Sequence, residues 1–182
     1  MSYRRWVFIA IFLFGIGLVF GLVTQASIAS LLAKDIAALE QLSSILVPFK
    51  FLTVILIFAK NALSLLLSFV FSPVFCLAPV LGLTINGWLL AFVSVTVVEE
   101  KSLGFVLTGL LPHGVFELPA LILGQAAALS FGTVAMLALF KKKKRNLFLP
   151  SLKQNLRYLM LALVLLIPAA IIETYFTPLL LR

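Results

Sequence analysis

No lysine, arginine, aspartate or glutamate stands between Trp6 and Ala33, or between Asn61 and Val98. Ser102 to Phe140 holds one charge, Glu117, and Tyr158 to Leu181 holds one, Glu173. A helix needs about 20 apolar residues to cross the ~30 Å of hydrocarbon in a bilayer, so each interval is long enough for at least one span. Composition agrees: 63% of the 182 residues are hydrophobic and 11% are charged. Soluble domains run at about 45–50% and about 25%, and a soluble fold of this size has no interior large enough for the excess. Disordered chains are polar and highly charged, and a disulfide scaffold needs more than the lone Cys76. The chain therefore reads as an all-α, polytopic helical membrane protein, one domain over residues 1–182.

Five spans fit the intervals, at about 6–23, 51–71, 76–97, 113–140 and 158–177. The first is longer than the ~7–15 residue core of a signal peptide, so a retained span is expected despite Arg4 and Arg5 in front of it. It carries Gly17 and Gly21 in a GxxxG spacing, which lets helices approach closely. Pro73 and Pro79 prevent one straight helix through the second interval. Between spans one and two, Lys34, Asp35, Glu40 and Lys50 alternate with leucines at three- and four-residue spacing, which predicts a surface helix over about 28–45. In the third interval Pro112 divides a short apolar piece from a longer one. A re-entrant half-helix at 102–111 followed by a full span is the expectation. Gly124, Ala128 and Gly132 then recur at four-residue steps, a packing face for a neighbouring helix.

Lys141, Lys142, Lys143, Lys144 and Arg145 form the largest charge run. Beside a span this reads as a loop that sets topology. Anionic lipid headgroups are its expected contact, and nucleic acid is not. Arg4 and Arg5 carry the same bias, so the N-terminus and the 141–145 loop are both expected in the cytoplasm of a cell-membrane protein.

Ionisable groups at membrane depth are costly and mark candidate sites. His113 and Glu117 are one helical turn apart and share a face. That spacing suits mutual capping, proton sharing or metal ligation, and whether a metal binds is open, since a zinc site needs three or four ligands. Glu173 has no local partner of opposite charge and is expected close to His113 and Glu117 in the bundle interior, while Asn61 and Asn86 are the other polar groups of the charge-free intervals. No cofactor motif is present. Intramembrane proteolysis fails on supply. Asp35 is the single aspartate and HExxH is absent. Glu99 and Glu100 followed by His113 give part of a prenyl-protein glutamic protease pattern, but Gly104 stands where an arginine belongs and there is no second histidine.

The segment Leu111-Pro112-His113-Gly114-Val115-Phe116-Glu117-Leu118-Pro119-Ala120, running into a small-residue helix, resembles the signature of the stage II sporulation protein M family. Lys60-Asn61, Asn86-Gly87, and Ile172-Glu173 followed by Thr177-Pro178 are similar to other recurring positions of that family, covering the chain from about residue 55 to its end. The resemblance implies a multipass membrane protein. The family's namesake anchors a complex that remodels peptidoglycan during spore engulfment, and many relatives occur in organisms that form no spores. The leading expectation is a non-enzymatic scaffold or anchor for membrane-protein partners or a second copy of the chain. The alternative is a small channel or transporter whose path is lined by His113, Glu117 and Glu173.

Overall fold

The computed structural model describes residues 3–24 and 49–181. The expected surface helix at 28–45 lies outside the described residues. The described chain is helical, with no strand. α1 is Tyr3–Val23, α2 is Phe51–Phe71, α3 is Leu77–Glu100 and α4 is Leu103–Phe140. A 3-10 turn, Lys142–Leu147, leads into α5, Phe148–Ile171, which continues through a π-helical turn, Ile172–Phe176, into the short α6, Thr177–Leu180. Among the described residues, five helical stretches are long and apolar enough to cross a membrane.

Charge-free stretches become helices because a backbone in hydrocarbon must satisfy its own polar groups. The hydroxyls follow the same rule. Thr84, Ser94, Thr96, Thr108 and Thr133 each donate to the carbonyl four residues back, at 2.6–3.1 Å. The tight turn between α2 and α3 is closed by Ser72, whose hydroxyl donates to the Phe69 carbonyl at 2.7 Å. It places Phe75 and Cys76 in the left-handed region, at φ 51° and 54°.

Among the described residues, α4 touches every other helix. Its small residues make this possible. Gly124 admits the Leu65 side chain of α2, and a Cβ at Gly132 would run into the Ser72 carbonyl. Phe69 and Phe131 stack beside them with ring centroids 4.9 Å apart. α1 docks on α3 through a second glycine seam. A Cβ at Gly17, Gly21 or Gly87 would strike the carbonyl of Thr84, Trp88 or Phe14, respectively. Backbone-to-backbone approach of this kind replaces the hydrophobic drive that helices lack in lipid.

One expectation is corrected. The half-helix at 102–111 is not a separate element, and Pro112 does not end a helix. Residues 103–140 form one helix of 38 residues with Pro112 and Pro119 inside it, about 57 Å long at ~1.5 Å per residue. The energetics explain the outcome. A proline inside a helix forfeits one backbone hydrogen bond and costs roughly 3 kcal/mol. Ending the helix would strand up to four N–H and four C=O groups, each costing several kcal/mol in hydrocarbon. Gly109 and Gly114 flank the ring of Pro112, and the space beside both is open or lightly filled.

Candidate functional site

The first part of α4 does not pack as its later part does. Of residues 103–118, Gly114 is the buried one. This part of the helix, with α3, one residue each of α1 and α2, and the π-turn, encloses a cleft of about 470 Å³. Its walls are apolar, with Leu90, Val93 and Val97 from α3 facing Phe105, Val106 and Leu110 from α4. Its polar lining is Lys60 of α2, Asn86 and Ser94 of α3, His113 and Glu117 of α4, and Glu173 of the π-turn.

Three of these side chains converge. One ligand-capable atom from each of His113, Glu117 and Glu173 lies within 4.8 Å of the other two. His113 Nε2 stands 3.7 Å from Glu117 Oε2, with the two side chains 15% and 32% exposed. The other Glu117 oxygen is held by Asn61, whose Nδ2 donates to Oε1 at 3.1 Å. His113 Nδ1 is buried without a hydrogen-bond partner. The arrangement joins two carboxylates and an imidazole at the side of an open cleft, with Asn61 fixing the orientation of one carboxylate.

The structure thus brings His113, Glu117, Glu173 and Asn61 into one cluster. Asn86 lines the same cleft, but its amide donates to Gly82 O of its own helix at 2.6 Å rather than across the bundle. The π-turn sets the position of Glu173, and single wide turns of this type recur at functional sites. Pro178 cannot donate to the carbonyl of Thr174, and that carbonyl instead accepts from the Phe49 amide at 3.3 Å. The Thr174 hydroxyl turns back to Ala170 O at 2.8 Å.

Sequence reasoning missed Gln125. It is fully buried, its Oε1 accepts from Ser68 Oγ at 2.5 Å, and its Nε2 has no partner. Its amide occupies the space that a side chain at Gly82 would need. A count of charges passes over an amide, but an isolated Gln between Gly124 and Ala126 on a small-residue face was the available signal.

A bundle of five membrane-length helices around a polar cleft defines a multipass membrane protein. The family model for stage II sporulation protein M matches residues 9–178, and the chain belongs to that family. An uncharacterized protein of Methanocaldococcus jannaschii is 26% identical over 176 residues, covering 94% of this chain and 93% of its own length. No solved structure matches.

Proposed function

We propose that the protein is a non-enzymatic component of the cell membrane whose cleft admits a small ion or polar solute. One observation carries this reading: among the described residues, His113, Glu117 and Glu173 converge at the wall of a cleft and are none of them fully buried. A purely structural cluster buried in a bundle would pair each ionisable group and exclude water. Reconstituted in liposomes, the wild-type chain should pass protons or small cations faster than empty vesicles. Glu117→Gln and Glu173→Gln should each abolish most of that flux. Equal flux from wild type and both variants would overturn the reading.

The second reading is an anchor for partner membrane proteins, the role of the family's namesake. Among the described residues, α1 also exposes Phe8, Phe12, Val19 and Phe20. Co-purification of a defined partner that survives Glu117→Gln, with no flux from the wild type, would favour it.

In either case the N-terminus and the 141–145 loop belong on the cytoplasmic side, where Lys141 to Arg145 meet anionic headgroups. All five are exposed in and beside the 3-10 turn, and the bias of basic residues supports this orientation. A Lys143→Cys variant in a Cys76→Ser background should resist a membrane-impermeant thiol reagent added outside intact cells. Labelling from outside would reverse the topology.

A further inference from the structure

We infer that His113, Glu117 and Glu173 form a binding site for a divalent transition-metal cation of the zinc type. The inference rests on the cleft reading above and names its ligand class.

The donor set is one imidazole nitrogen and two carboxylate oxygens. A soft ion such as Cu(I) wants thiolate or thioether ligands, and the single cysteine, Cys76, is elsewhere, against Leu129 O and Thr133 Oγ1. Calcium and magnesium take oxygen alone. Nitrogen with two carboxylates suits zinc and its neighbours in the first transition row.

The spacing is close to that needed. Ligands at ~2.0–2.2 Å around a tetrahedral zinc stand about 3.4 Å from one another. His113 Nε2 and Glu117 Oε2 are already 3.7 Å apart, and the whole set lies within 4.8 Å. Closure therefore needs movements of about an ångström at the tip of the Glu173 side chain, not a change of fold. Three protein ligands leave the fourth position open, as in zinc sites that exchange a water or a substrate, and all three residues line the cleft.

Asn61 supplies the outer layer of such a site. Metal-ligating carboxylates are themselves hydrogen-bonded, which fixes the oxygen they present. The bond from Asn61 Nδ2 to Glu117 Oε1 leaves Oε2 directed at His113. A cluster held only by mutual attraction has no need of that constraint. Lys60 works against the ion. It lines the same cleft, and its ammonium repels a dication. Lys60 is exposed on a flexible stem, so it weakens the site without blocking it.

The test uses the full chain in detergent, stripped with a chelator, dialysed and titrated with Zn²⁺ by calorimetry. Bound metal is counted by mass spectrometry. One ion per chain is expected. His113→Gln and Glu173→Gln should each weaken binding at least ~10-fold, and Asn61→Ala about 10-fold, as lost outer-layer contacts do. Lys60→Met should tighten binding several-fold, an effect that misfolding cannot produce. X-ray absorption should show nitrogen and oxygen ligands with one imidazole. Absence of saturable zinc binding by the folded wild type, or unchanged affinity in the His113→Gln, Glu173→Gln double variant, overturns the inference. Proton flux in liposomes from a chain that binds no zinc would reject the metal and keep the cleft. A cleft closed to water-soluble thiol reagents would reject both.

Discussion

From Ala120 to Ala138, α4 buries alanine and glycine against its neighbours, whereas from Leu103 to Leu118 the same helix lines an open cleft with a histidine and a glutamate. The two parts share one backbone and the same apolar background. They differ in side-chain size and in the presence of ionisable groups. Small residues let backbones meet, and dispersion then holds the bundle where no hydrophobic drive exists between helices and lipid. The first part carries long aliphatic residues and Pro112, and a cleft runs beside His113 and Glu117. Under the proposed function, stability and ligand handling fall to different stretches of one helix.

The sharpest way to break this contrast is one substitution made in both parts. Gly132→Ala forces a methyl group into the Ser72 carbonyl and should cost about 2–3 kcal/mol by overpacking, read as a lower unfolding temperature in detergent. At Gly114 the space for a Cβ is empty. There the same change should be neutral or stabilise by up to ~1 kcal/mol through helix propensity. Equal losses at both positions would erase the distinction between the two parts.

A smaller effect tests the polar contact within the packed part. Gln125→Leu removes the hydrogen bond to Ser68 together with an unpartnered amide. Interhelical bonds in membranes average about 0.6 kcal/mol, so a net loss near 1 kcal/mol or less is expected from chemical denaturation. A loss above ~3 kcal/mol would make Gln125 a keystone of the core.

The smallest effects belong to the cleft. Glu117→Gln and Glu173→Gln should each change thermal stability by under ~1 kcal/mol, and the double variant should lose less than the two single losses added together. Neighbouring groups in one network couple, while independent groups add. Strict additivity would separate the two carboxylates.

Much of this was legible in the chain itself. The charge-free intervals announce five membrane-length helices, and the rarity of ionisable groups within them singles out His113, Glu117 and Glu173. The positions of Gly17, Gly21, Gly124 and Gly132 announce close packing, and the structure supplies the partners: Thr84, Trp88, Leu65 and Ser72. Pro112 misled because proline is a helix breaker in water, where freed backbone groups find solvent. In hydrocarbon, ending the helix costs more than the proline does. The π-turn at Glu173 was hidden, because Pro178 frees the Thr174 carbonyl but its partner, Phe49 N, is distant in the chain. Gln125 was hidden because its burial depends on the absence of a side chain at Gly82 on another helix.

Water access along α4 tests the central claim most directly. Single cysteines at Val106, Leu110 and Ala127, in a Cys76→Ser background, would be exposed in native membranes to a charged, thiolate-specific reagent. Val106 and Leu110 line the cleft, and Ala127 is fully buried. Cysteines at 106 and 110 should be modified rapidly while that at 127 stays unreacted. If 106 and 110 prove as inert as 127, the cleft is sealed, and the division of α4 into a packed part and an open one is wrong.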